Sequence, residues 1–326
     1  MVFEDIVGQS NAIKVIKNSL LNNRAGHAYI FCGPDGVGKS LAASIFAAAL
    51  NCKEAEGNPC NLCTSCIKAK SGNHPDIIDF KTERTIIRVD DIRGLQKDMQ
   101  KKPYESENNI YIIHEGDKMN EEAQNCLLKT LEEPPLYVTI IILAKNEHYF
   151  LSTITSRCQI VKFTRAPEKE IEDYLKKNMG VLDYEARYAA SFSEGILQRA
   201  KDYLSNDEFK ESRNNIINMC ARIKSIDKAG ALSYLNYFMD NKSKIDYILT
   251  VMVSFYRDIM IYKETKDNKY ITNIDKVDII NRESLKYTYT NLYNIISVLK
   301  QTSDNLKYNI NFQLSMELML LKLQEG

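Results

Sequence analysis

The chain has 326 residues, 44% of them hydrophobic and 26% charged, with Lys plus Arg and Asp plus Glu balanced at 43 each. This length predicts two or three domains rather than one core, and zero formal charge makes the chain a poor solitary nucleic-acid binder, so any DNA contact is expected to be local or shared with partners. No apolar run reaches the ~18 residues of a membrane span, and the acidic start Met1-Val2-Phe3-Glu4-Asp5 lacks a basic-then-apolar leader, so a cytoplasmic protein with no membrane contact is expected.

Residues 28–32 form a short apolar run that ends at Gly33-Pro34, a strand running into a turn. Next comes Gly33-Pro34-Asp35-Gly36-Val37-Gly38-Lys39-Ser40, which satisfies G-x-x-x-x-G-K-[ST] in full, between a strand and the Ala-rich helical pattern of residues 40–50. Gly33, Gly36 and Gly38 let backbone N–H groups curl around an anion at a helix N-terminus. Lys39 is expected to reach the β- and γ-phosphates of ATP, and Ser40 to ligate Mg²⁺.

Four of the eight cysteines, Cys52, Cys60, Cys63 and Cys66, follow with seven, two and two residues between them. In a reducing compartment such a cluster reads as a metal site before a disulfide site. Four thiolates with no open position make a closed, structural Zn²⁺ site, a module spanning residues 52–66. Cys32, Cys126, Cys158 and Cys220 are scattered and read as small buried apolar residues.

Strand patterns recur at residues 76–80, 110–113, 138–143 and 159–163, most of them separated by helical patterns such as 121–131. This alternation predicts a parallel sheet covered by helices. Between the second and third strands, Arg93, Lys97 and Lys101 fall on a helical pattern. They are candidates for phosphate contact, although a solvated face is the simpler reading.

The third strand runs into His114-Glu115-Gly116-Asp117. A hydrolysing P-loop enzyme needs a carboxylate at a neighbouring strand tip for Mg²⁺ and a water-positioning group beside it. His114 stands at the first position, where imidazole suits a hard cation poorly. Glu115 stands at the water-activating position. The expectation is ATP binding with weak or no hydrolysis.

Beyond Ala166-Pro167 the pattern is helical throughout. Ile245-Leu249-Met252-Tyr256 and Leu314-Leu318-Leu321 lie at helical spacing. The predicted organisation is an α/β P-loop domain (1–163), a small helical lid (164–206) and an all-α C-terminal domain (207–326).

Several strings together resemble bacterial DNA polymerase III clamp-loader subunits of the AAA+ class. They are Phe3-Glu4-Asp5-Ile6-Val7-Gly8-Gln9, residues 27–31 before the P-loop, the four-cysteine insert, and His74-Pro75-Asp76. Residues 127–135 (Leu-Leu-Lys-Thr-Leu-Glu-Glu-Pro-Pro) and Ser156-Arg157-Cys158 complete the set. The resemblance is dense over 1–163 and architectural beyond. It implies an AAA+ core with a zinc module, a lid, and a C-terminal collar that joins gamma/tau- and delta-type subunits in a hetero-pentamer. That assembly is expected to load a sliding clamp onto primer-template DNA within the polymerase III holoenzyme. Arg157 matches the arginine finger that acts in trans on a neighbour's nucleotide, a role that suits a planar, always-charged guanidinium.

Departures from the motor pattern favour a delta-prime-type stator. His114 replaces the first acid, Gln198 stands where a lid arginine is expected after Gly195, and the polar sensor after the fourth strand is Lys145 or Asn146. A gamma/tau-like motor ATPase and a non-replicative AAA+ adaptor are the alternatives.

Overall fold

Three runs of Ile, Val and aromatic residues form the interior of one parallel sheet in the computed structural model, which describes residues 1–21, 25–54, 57–308 and 310–325. Residues 55 and 56 of the cysteine module and Gly326 lie outside the described residues. The chain divides into two compact units, Met1–Glu170 with Gly195–Leu197, and Ile171–Glu194 with Gln198–Gly326.

In chain order the first unit contains α1 (Ser10–Leu21), β1 (Ala28–Cys32), α2 (Lys39–Leu50), α3 (Thr64–Ser71), β2 (Ile77–Phe80) and α4 (Val89–Met99). It continues with β3 (Asn109–Ile113), α5 (Glu121–Glu132), β4 (Val138–Ala144), α6 (Ser152–Thr155) and β5 (Gln159–Lys162). The sheet order is β2-β3-β4-β1-β5, with every pair parallel. All residues of β1, β3 and β4 are buried. Strands sandwiched by helices on both faces need such continuous apolar runs.

The two-residue period of a strand divides these side chains between two cores. Tyr29, Phe31, Ile110, Ile112, Ile141 and Leu143 pack with α1 and α2 on one face. Ile30, Tyr111, Ile113, Ile140 and Ile142 pack with α4 and α5 on the other. Edge strands β2 and β5 expose Asp79, Gln159 and Lys162. Alanine gives α2 its helix propensity and lets it lie close on the sheet, where Ala42, Ala43 and Ala47 have no exposure.

The second unit is helical among its described residues. It holds most of α7 (Glu168–Met179), then α8 (Asp183–Phe192), most of α9 (Leu197–Ser205), α10 (Asp207–Ile223), α11 (Lys228–Ser233) and α12 (Leu235–Asp240). After these come α13 (Ile245–Thr265), α14 (Val277–Ser284), α15 (Tyr289–Lys307) and α16 (Phe312–Glu325). α13 is the hub, packed by α10, α14 and α15. The predicted stripe through Leu249, Met252 and Tyr256 is buried.

The predicted stripe on α16 needs correction, because Leu314 and Leu318 are exposed while Met316, Met319, Leu320 and Leu323 are buried. Apolar residues occupy both sides of this helix, so spacing alone does not select the face that packs.

Candidate functional site

The carboxyl edge of a parallel sheet is where open α/β folds place ligands, and the phosphate loop, His114-Glu115 and Lys145 follow the carboxyl ends of β1, β3 and β4 there. The Gly33 N–H donates to the Ala144 carbonyl at 3.2 Å, and the Phe163 N–H to the Cys32 carbonyl at 2.7 Å. The loop is thereby pinned to β4 on one side and to the end of β5 on the other. A side chain at Gly33 would overlap the Phe163 carbonyl, and Gly33, Gly36 and Gly38 all have positive φ, a conformation glycine adopts without steric cost.

Lys39 opens α2 and is 8% exposed. Its ammonium donates to the carbonyls of Gly33 and Pro34 and lies 3.4 Å from an Asp35 carboxylate oxygen. Burial pushes the Lys39 pKa down, while Asp35 and Asp117 act in the opposite direction. Ser40 is exposed on the first turn of α2. The curled backbone, the helix N-terminus and Lys39 make an anion cradle whose donor set fits nucleotide phosphates.

At the tip of β3, His114 Nε2 lies 2.8 Å from Asp79 Oδ1 on β2. That contact is the chief reason the Asp79 carboxyl lies below its ordinary range. A carboxylate is therefore present beside the first-acid position, but it comes from the adjacent strand and is engaged by the imidazole. Glu115 has φ +50° and is paired with Lys118 at 2.8 Å. Gly116, next to it, has no space for a side chain against Ile142.

The end of β4 separates the two sensor candidates. Lys145 Nζ reaches Asp35 Oδ2 at 3.2 Å, and its backbone N–H donates to Asp117. The Asn146 side chain instead accepts the His148 N–H. Lys145 thus faces the phosphate loop, while Asn146 caps a turn. Asp79 and Asp35 went unassigned at the sequence level. The only local signal for Asp79 was an acid inside the apolar run 77–80.

All four predicted metal ligands converge. The Sγ atoms of Cys52, Cys60, Cys63 and Cys66 lie within 4.8 Å of one another, and Cys60 and Cys66 are 3.9 Å apart. Thiolates at ~2.3 Å from one tetrahedral ion sit about 3.8 Å from each other. Backbone N–H groups of Cys60, Cys63 and Cys66 point at the sulfurs of Cys52, Cys60 and Cys63. The N–H groups of Cys63 and Leu62 pull the Cys60 thiol down to about 7, whereas burial pushes Cys52 and Cys66 up. An all-sulfur donor set on a tight knuckle fits Zn²⁺. His74 does not join it. Its ring contacts the hydroxyls of Ser65 and Ser106 and accepts the Asp76 N–H, tying α3 to the start of β2.

Arg157 follows the short α6. Its guanidinium pairs with Glu132 at 2.9 Å and donates to the Thr153 carbonyl and the Ser156 hydroxyl. None of these partners belongs to the phosphate loop, and about a third of the side chain is exposed. Glu132 ends α5 within the Leu-Glu-Glu-Pro-Pro string, so the two strings that were distant in sequence meet here. Gln9 ties the string at residues 3–9 to the segment after β5, since its buried amide exchanges hydrogen bonds with Thr164 N–H and C=O.

The cationic helix is less suited to phosphate than its sequence suggested. α4 stops at Met99, leaving Lys101 beyond its end, and Arg93 and Lys101 are paired with Asp90 and Asp98. Around Gly195, Gln198 bonds Asp202 and Arg199 pairs with Glu194.

Comparison with known proteins covers most of the chain. A family model described as "DNA polymerase III, delta subunit" matches residues 8–167, and one described as "DNA polymerase III, delta subunit, C terminal" matches residues 207–325. DNA polymerase III subunit delta' of Bacillus subtilis (strain 168) is 32% identical over 322 residues, covering 98% of this chain and 97% of that protein. Subunit tau of the same organism is 29% identical, over 98% of this chain and 61% of its own length. Subunit tau of Escherichia coli (strain K12) is 35% identical over 158 residues, which are 48% of this chain and 24% of that protein. Among the described residues, no helix is long and apolar enough to cross a membrane.

Proposed function

Because the chain belongs to the DNA polymerase III clamp-loader delta-prime family, we propose that it serves as the stator and arginine-finger donor of an ATP-driven clamp loader rather than as its motor. The observation that carries this reading is the contrast between the two ends of the parallel sheet, His114 following β3 and Arg157 preceding β5. The first-acid position holds His114 clasped to Asp79, whereas Arg157 stands on an exposed turn with no partner in its own phosphate loop. A hydrolysing site needs a free carboxylate for Mg²⁺. A finger needs a guanidinium that can leave its resting partner and reach a neighbour's triphosphate.

In this reading residues 1–163 form the AAA+ domain, 164–206 the lid and 207–326 the collar that joins gamma/tau- and delta-type subunits. Sliding clamp and primer-template DNA are met through the assembled pentamer. The cysteine module holds a structural Zn²⁺, and the P-loop takes ATP with Mg²⁺ without turning it over efficiently. Gly33, Gly36, Gly38, Lys39 and Ser40 form its cradle. A motor role is the second reading, favoured by the complete P-loop and by Glu115 at the water-activating position.

The test is reconstitution with gamma/tau- and delta-type partners, clamp and primed DNA. Arg157→Ala should leave assembly intact and lower the DNA-stimulated ATPase rate by about 10³-fold, the lower end of what such fingers contribute. Full ATPase activity in that variant would reject the finger role. Brisk ATP turnover by the isolated chain would transfer the assignment to the motor.

A further inference from the structure

The phosphate loop carries its own anion. Asp35, the third residue of Gly33-Pro34-Asp35-Gly36-Val37-Gly38-Lys39-Ser40, places Oδ1 3.4 Å from Lys39 Nζ and Oδ2 3.2 Å from Lys145 Nζ. The two cations come from different strands of the sheet edge, Lys39 after β1 and Lys145 after β4. Those strands are neighbours, with Cys32 in register with Ala144, and Gly33 is bonded to Ala144. Asp35 therefore bridges the cations that flank the anion cradle, in the manner of a bound anionic group.

We infer that Asp35 competes with the terminal phosphate of a nucleoside triphosphate for Lys39 and Lys145, and so lowers the affinity of this loop for ATP more than for ADP. The inference rests on the reading of the loop as a nucleotide site and adds the residue that sets its affinity and selectivity. The P-loop lysine serves the β- and γ-phosphates. A triphosphate must therefore displace the carboxylate and then tolerate its negative charge nearby, while a diphosphate lacks the group that meets it most directly. The Asp35 hydrogen bond also holds the Lys145 ammonium above its ordinary pKa, which agrees with a formed ion pair. The Asp35 side chain is 70% exposed and that of Lys145 55%, so this pair is of modest strength and exchangeable, and the contact with the buried Lys39 is longer, at 3.4 Å.

The experiment is calorimetric titration of the full chain with Mg·ATPγS and Mg·ADP, comparing wild type with Asp35→Asn and Asp35→Ala. Both variants remove the charge at an exposed position and should keep the fold. The expected result is ATPγS affinity raised by about 5- to 30-fold, the equivalent of one or two such pairs, with a smaller gain for ADP. Unchanged or weaker ATPγS binding in both variants, beside measurable binding by wild type, would overturn the inference and leave the nucleotide site standing. An equal gain for the two nucleotides would overturn the competition for the terminal phosphate. No binding by any of the three proteins would remove the nucleotide site itself, and Asp35's role with it.

Discussion

The ends of the α/β sheet and the interior of the helical unit hold several of their charged groups in contrasting ways. At the carboxyl end of the sheet, Asp35 pairs with Lys145 and Glu115 with Lys118, and at its amino end Arg157 pairs with Glu132, each pair at least partly exposed. In the helical unit, the Arg213 guanidinium is buried. It donates to the Asn273 side chain, forms a fork with Asp275 at 2.7 and 2.9 Å, and stacks on Tyr188. Asp258, with no exposure, accepts the N–H groups of Thr272 and Asn273 and the Asn273 amide. Exposed pairs contribute little and can exchange with a ligand or a neighbouring subunit. Buried, saturated networks hold a loop in one conformation and are costly to break. The same residue types are therefore exchangeable at the ends of the sheet and fixed around Arg213 and Asp258.

The sharpest way to break this contrast is to remove one carboxylate from each. Asp258→Ala would strand three buried donors and should cost about 3–5 kcal/mol in the stability of the helical unit. Glu132→Ala, at the exposed pair, should cost no more than about 1 kcal/mol. Chemical denaturation of the two variants reads both values, and equal costs would dissolve the distinction.

A second comparison uses pH. Asp76 in the α/β unit also gathers backbone N–H groups, those of Tyr104, Glu105 and Ser106. Burial pushes its carboxyl up, but the three bonds more than offset this and leave it below its ordinary value. Its stabilising contribution is present above the unfolded pKa of about 3.9 and is lost as pH falls through the lower folded value. For Asp258 burial dominates its bonds, and the carboxyl is raised. Its contribution is present below about pH 3.9 and declines as pH rises through the higher folded value. The penalty of Asp76→Asn should therefore shrink on acidification while that of Asp258→Asn grows. Denaturation midpoints of the two variants measured across that range would show opposite slopes.

A third comparison concerns the strand tip. His114→Asp restores the acid of a hydrolysing site, yet the new carboxylate would face Asp79, now 2.8 Å from the imidazole. Repulsion between the two, together with the Lys118 pairing of Glu115, should limit any gain in ATPase by the isolated chain to about tenfold, or ~1.4 kcal/mol. A gain of many orders would mean that His114 alone disables the site.

Much of this was legible beforehand. Five strands, the helix after the P-loop and the converging sulfurs of Cys52, Cys60, Cys63 and Cys66 appear where their patterns placed them. The partner of His114, the choice between Lys145 and Asn146 and the buried side of α16 were not. Those depend on groups tens to more than a hundred residues apart, or on which of two apolar faces meets a neighbour.

Read alone, the amino-acid string specified what is local. Glycines allow a loop to curl, paired short spacings bring thiols together, and two-residue or helical periods select strand or helix. Only the folded chain decided which charges meet. The sheet order sets β4 beside β1 and β2 beside β3, and so brings Lys145 to Asp35 and Asp79 to His114. Electrostatic partnership falls off over a few ångströms of space, and separation along the chain says nothing about that distance until the strands are paired.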